Sequence, residues 1–226
     1  MKLQAPHEWD VTPAEARAIQ ERLRGSVVAA GEPEHVRLVA GVDISVGGEG
    51  QDGRAAVVVL SYPGLRPVEQ SVVTAAVRFP YVPGLLSFRE IPVLLPAFAA
   101  LRASPDLVVV DGQGMAHPRR FGLASHLGLL LGLPTIGCAK SRLTGHFDPP
   151  AREAGAVSPL LGAEDECIGA VVRTRMGVNP VFVSVGHLIA LSAAVAWTLR
   201  LVRGLRLPEP TRLAHRAAAG EQVAPT

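Results

Sequence analysis

The chain has 226 residues, 48% of them hydrophobic, and a formal net charge of only +2 at pH 7. That length suits one large domain, and that apolar content supplies a core and excludes an intrinsically disordered chain. The small charge excludes a uniformly basic surface but leaves room for a local basic groove.

In chain order, the opening segment lacks the apolar stretch of a signal peptide. Thr12-Pro13-Ala14-Glu15 reads as a helix start: a capping side chain, a proline in the first turn and an early acid. Residues 36–45 (VRLVAGVDIS) read as a strand with Asp43 near its end. Gly47, Gly48 and Gly50 then make a turn, and residues 55–60 (AAVVVL) a second strand. After Pro63-Gly64, residues 68–77 form a third, and the short connections predict an antiparallel meander. PYVPGLLSFREIPVLLPAFAALR leads into a helix, and residues 107–110 are a short, wholly apolar strand of the kind covered on both faces. A helix over 121–131 and a strand over 134–138 follow. Residues 144–165, rich in Pro, Gly and charge, read as a loop excursion. Strands over 167–173 and 181–184 precede a helix over about 188–202, whose apolar run breaks at Arg200 and is too short to cross a bilayer.

This order predicts an α/β chain with one mixed sheet, three antiparallel strands then parallel strands, flanked by helices. One domain is expected over 1–216, with 217–226 as a flexible tail. Cys138 and Cys167 show no metal spacing and read as reduced thiols of a cytoplasmic protein.

Asp43 and Asp111 each end an apolar strand, where a carboxylate either reaches solvent or meets a cation. Taken singly, each reads as a turn cap. As a pair on neighbouring strands they suit Mg²⁺, which takes a few carboxylates and keeps waters for a substrate phosphate. Glu90, in Ser87-Phe88-Arg89-Glu90, matches a capping box at a helix start, where it caps, binds metal through water, or does both. Pro92 requires that helix to begin close by. Gly112 and Gly114 carry no third glycine at the dinucleotide spacing, and Lys140 does not directly follow Gly137 as a P-loop requires. What remains is a glycine-lined surface for a flat ligand or phosphate, ringed by His117, Arg119, Arg120 and Lys140, with the arginine pair reading as a solvated helix start. Tyr81, between Pro80 and Pro83, is either a half-buried turn residue or a rigid wedge that parts bases.

The segments VAGVDIS, FPYVPGLLSFRE, VVVDGQGMAHPRRFGLASHLG, IGCAKSRLTG and LPEPTRLAH, in this order, resemble the endonuclease V family over nearly the whole chain. The resemblance implies an RNase H-like fold and Mg²⁺-dependent cleavage of DNA near a deaminated adenine, deoxyinosine, with Mn²⁺ able to substitute. The cut bond would be the second phosphodiester 3′ to the lesion, leaving a 3′-hydroxyl and a 5′-phosphate. Asp43 and Asp111 would hold the metal, Glu90 and His215 would complete the acidic centre, directly or through water, and Lys140 would sit near the scissile phosphate. Tyr81 would be the wedge in the duplex, with Pro83 and His117 also at the DNA. Leu86, Gly112, Leu123 and Leu143 would frame the pocket for the extruded base. Inosine-containing RNA as substrate, and a non-catalytic nucleic-acid-binding module on the same scaffold, are the alternatives. The protein is expected to act as a monomer with no membrane partner.

Overall fold

The computed structural model describes residues 6–46 and 52–225, so the turn expected at Gly47, Gly48 and Gly50 lies outside the described residues. Helix α1 (Pro13–Leu23) starts as expected: Thr12 caps it, Glu15 closes the capping box, and proline occupies the first turn. Three strands follow as an antiparallel meander, β1 (Leu38–Val46), β2 (Asp52–Ser61) and β3 (Pro67–Ala76). Helix α2 (Leu86–Ala99) leads to β4 (Leu107–Val110), all four residues of which are buried. Helix α3 (Leu123–Leu131) and β5 (Thr135–Ala139) come next. The chain then forms β6 (Val157–Leu161), β7 (Cys167–Val172), β8 (Val181–His187), α4 (Leu191–Arg200) and α5 (Glu209–Ala218).

All eight strands form one sheet in the order β3-β2-β1-β4-β5-β8-β7-β6. The expected meander passes into parallel strands at β1-β4-β5, and three further strands extend the sheet antiparallel. Side chains alternate across the sheet. Val39, Leu107, Val109 and Ile136 face α4 and α5 on one side, while Ala40, Val42, Val108 and Val110 face α2 and α3 on the other. With helices on both faces, the central strands are continuous apolar runs. No helix among the described residues is long and apolar enough to cross a membrane.

Three local expectations need correction. Residues 144–165 are not all loop, because Val157–Leu161 pairs with β7 at the sheet's edge. Pro159 masked that strand in the sequence, yet an edge position tolerates proline because one side needs no ladder N–H. Helix α2 begins well before Pro92 and contains both Pro92 and Pro96. Its buried face, with Phe88, Ile91, Leu94 and Phe98, contributes roughly 1.5–3 kcal/mol per side chain, enough to outweigh about 3 kcal/mol per interior proline. The chain end does not fray at Ala217: α5 continues with Ala217 and Ala218 buried. The following residues lie on β3, where Gln70 N–H donates to Pro225 O at 3.0 Å and Gln70 Oε1 accepts from Val223 N–H at 2.7 Å. That segment covers part of an otherwise open sheet edge.

Candidate active site

Val42 pairs with Val110 in parallel register, so Asp43 and Asp111 are the next residues on two adjacent strands, β1 and β4. Neighbouring strands run about 4.8 Å apart, and residues of the same parity project from the same face. The carboxylates therefore leave the sheet side by side at the carboxyl ends of β1 and β4. Their side chains are only 15% and 12% exposed.

Each carboxylate meets a cationic or donor group from a distant element. His215 Nδ1, on α5, lies 2.7 Å from Asp43 Oδ2. Lys140 Nζ, just beyond β5, lies 2.5 Å from Asp111 Oδ2. Asp43 Oδ1 accepts the Ile44 N–H at 2.9 Å. Desolvation, followed by the charge of Asp111, holds the Asp43 carboxyl above its usual pKa despite the His215 bond. Glu90, partly buried on α2, is raised well above the usual carboxylate range by desolvation and then by Asp43 and Asp111. Three acids thus share one patch in which desolvation, and then their mutual repulsion, favours the protonated carboxyl at Asp43 and Glu90. The capping box expected around Glu90 does not form: the cap position is Leu85, and Ser87 bonds to His126 instead.

Helix α5 can place His215 over Asp43 only because Gly41 has no side chain. A Cβ there would stand 2.0 Å from the Pro210 carbonyl oxygen. Lys140 is held from behind, since Arg206 Nη2 donates to its carbonyl oxygen at 2.5 Å and to that of Pro180 at 2.9 Å.

A pocket of about 340 Å³ opens beside the acids, sharing Asp111 and Lys140 with them. Its walls include Tyr81, Pro83, Leu86, Gly112, His117, Leu123 and Leu143. The seven residues expected at the DNA or the base are therefore brought together, while Asp43, Glu90 and His215 lie outside that lining. Gly112 faces Leu123, whose Cδ2 would be 3.1 Å from a Cβ at that position. Gly114 serves packing instead, since a Cβ there would stand 2.0 Å from the Val185 carbonyl oxygen. Tyr81 projects with 68% of its surface exposed.

His117 does not present its ring to an outside ligand as expected of a DNA contact. It is 3% exposed, its Nε2 bonds the Gly84 carbonyl at 3.0 Å, and its Nδ1 accepts the Arg119 N–H at 3.1 Å. Burial, then the charge of Arg119, lowers its pKa to about 4. The arginine pair is not a solvated helix start either. Arg119 donates to Gln20 Oε1 at 2.5 Å and Gly84 O at 2.7 Å, and Arg120 donates to His117 O and pairs with Glu166. Gln20 also donates to Gly84 O, at 3.1 Å. His117, Arg119 and Gln20 thus converge on the carbonyl that ends the Tyr81 turn. Gln20 and Arg206 escaped the sequence reading because their partners are far away in the chain and no local pattern marks them, while Ser87 reads in the sequence only as part of a capping box.

A three-stranded meander running into two parallel strands, with helices on both faces, defines an RNase H-like fold, and the two aspartates lie at the adjoining strand ends. The family model for endonuclease V matches residues 21–216. The endonuclease V of Dehalococcoides mccartyi is 52% identical over 219 residues, covering 97% of this chain and 98% of that one. The crystal structure of endonuclease V from Streptomyces avermitilis superposes with a TM-score of 0.89 at 47% identity, covering 97% of this chain and 96% of that one. Endonuclease V of Ciona intestinalis, solved with a 23mer DNA containing an inosine followed by a ribo-adenosine, has a TM-score of 0.80 at 28% identity. It covers 92% of this chain and 97% of that one. The chain belongs to the endonuclease V family.

Proposed function

We propose that the chain is a DNA repair endonuclease that recognises deoxyinosine and hydrolyses the second phosphodiester bond 3′ to it, leaving a 3′-hydroxyl and a 5′-phosphate. The observation that carries this reading is the convergence of Asp43 and Asp111 at one sheet margin, next to a pocket that shares Asp111. The inosine-containing DNA bound by the Ciona intestinalis relative supports the choice of lesion.

Mg²⁺, with Mn²⁺ as substitute, fits the donor set. Among the described residues no group of three or more His, Cys, Asp or Glu forms a cage that holds a metal unaided. Mg²⁺ typically needs only one or two carboxylates, with waters and substrate phosphate completing its shell. Desolvation first, and then the repulsion among the acids, raises Asp43 and Glu90, and a bound cation would offset both by favouring the charged carboxylates. Asp43 and Asp111 would hold it, with Glu90 and His215 bound directly or through water. When bound, the ion supplies Lewis-acid stabilisation of the phosphoryl oxygens and lowers the pKa of water.

The chain's own groups do the rest. Lys140 offers a partly exposed ammonium beside Asp111, able to meet a phosphate oxygen. His215, 61% exposed and bonded to Asp43 through Nδ1, keeps that carboxylate oriented. The exposed Tyr81 occupies the gap left when the base leaves the duplex, and the pocket walled by Leu86, Gly112, Leu123 and Leu143 receives the base. His117 and Pro83 stiffen the wedge turn. A duplex with a single deoxyinosine tests the proposal: it should be nicked only when Mg²⁺ or Mn²⁺ is present. Intact substrate with folded protein and metal overturns it.

A further inference from the structure

A chain of hydrogen bonds runs from the exposed Glu8 carbonyl through a buried imidazole to the wall of the pocket. His7 Nδ1 lies 2.6 Å from the Glu8 carbonyl oxygen, His7 Nε2 lies 2.7 Å from His126 Nε2, and His126 Nδ1 lies 3.1 Å from Ser87 Oγ. Ser87 is 2% exposed and lines the pocket next to Leu86. The rings of Trp9, Phe88 and Phe121 pack around His126 at centroid distances of 5.3, 5.2 and 5.0 Å. At the buried His126–Ser87 end water is kept from competing, and a low local dielectric strengthens that bond.

The direction of every proton in this chain follows from its far end. A carbonyl oxygen only accepts, so His7 Nδ1 carries the hydrogen donated to Glu8. Burial lowers both imidazoles below their ordinary pKa, so at neutral pH each is uncharged and has a single N–H. His7 Nε2 is then a lone pair, and His126 Nε2 must donate to it. His126 Nδ1 is left as a lone pair in turn, and only the Ser87 hydroxyl can donate to that. Ser87 Oγ therefore has acceptor capacity left over and no hydrogen to give.

A second group in the same wall has the same character. Gln113 donates its Nε2–H to the Ser141 carbonyl at 2.9 Å, which fixes the orientation of the amide. Its Oε1 is buried without a partner among the described residues.

We propose that the relay from Glu8 through His7 and His126 sets Ser87 as a pure acceptor, and that Ser87, together with Gln113 Oε1, reads the ring N–H of a lactam base. The inference rests on the base-pocket reading given above. Hypoxanthine carries a hydrogen on N1, whereas adenine presents a lone pair there, so an acceptor-only wall pairs with the first and opposes the second. Guanine shares that hydrogen, so the device separates hypoxanthine from adenine and not from guanine. Ser87 is the specificity-determining residue, and His7 and His126 are positioning residues.

Two measurements test this. Nitrogen NMR of the intact protein should find His126 protonated on Nε2 and bare on Nδ1. The opposite tautomer overturns the relay, and the experiment needs no substitution. Cleavage is then compared on duplexes carrying deoxyinosine or 2′-deoxynebularine, a purine without the N1 hydrogen and without the carbonyl. Ser87→Ala should shrink the deoxyinosine-to-deoxynebularine ratio of kcat/KM about tenfold, and Ser87→Thr, which keeps the oxygen, should restore most of it. A wild-type ratio in folded Ser87→Ala sinks this inference alone, whereas a wild-type protein that cuts neither duplex sinks the base-pocket reading with it.

Discussion

Gly41 and Pro210 are in contact across the sheet: a β-carbon at position 41 would sit 2.0 Å from the Pro210 carbonyl oxygen, so α5 rests directly on the backbone of β1. This contact brings His215 within 2.7 Å of Asp43. Gly41→Ala should push α5 away and destabilise the fold by roughly 1–3 kcal/mol, the usual range for overpacking. Nicking should fall further than the loss of folded protein explains. Thermal melts and single-turnover cleavage on the same preparation check both parts; a variant with full activity would show that His215 does not depend on this contact.

The crowded acids oppose folding when no cation is bound. Asp43→Asn should reduce nicking to background while leaving duplex binding intact, and without metal its melting temperature should equal or exceed that of the wild type. Mg²⁺ should raise the melting temperature of the wild type by mass action and that of the variant much less. Differential scanning calorimetry with and without Mg²⁺ reads this directly.

His117 makes the Tyr81 turn sensitive to acid. Its pKa is lowered from an ordinary 6.5 to about 4 by burial and Arg119, so between those values the unfolded chain binds more protons than the folded one. Stability contributed here is complete above pH 6.5 and declines as pH falls to about 4, with a total loss of about 3 kcal/mol. Glu90 and Asp43, whose pKa values are raised, act in the opposite direction, so the difference between wild type and His117→Gln isolates the effect. That variant should gain on the wild type as pH falls from 6.5 towards 4. Parallel curves in urea titrations across this range would refute it.

Tyr81 packs little of its surface against the protein. Tyr81→Ala should therefore change folding stability by no more than about 0.5 kcal/mol, yet lower the preference for deoxyinosine over deoxyadenosine. Competition between the two duplexes, with urea denaturation as control, separates the effects. Equal preference in variant and wild type removes the wedge role.

Much of the architecture was legible because it depends on local pattern. The capped start of α1, the meander and the buried strand Leu107–Val110 follow from side-chain alternation, capping chemistry and unbroken apolar runs. Elements that break local rules were misread: β6 contains a proline but lies at an edge, and α2 tolerates two prolines because its apolar face is buried. The tail reads as frayed by composition, yet Gln70, some 150 residues earlier in the chain, bonds to it.

The sequence by itself determined which candidate residues stand in which order: acids ending two strands, a stiffened tyrosine between prolines, glycines and cations behind Asp111. Which of these side chains meet was decided only by the tertiary structure. The β1–β4 register aligns Asp43 with Asp111, and the close approach at Gly41 delivers His215. The folded chain also turns His117 inward and joins Ser87 to His126. Hydrogen-bond partners and desolvation depend on distances between segments far apart in the chain, and local periodicity carries no record of those distances.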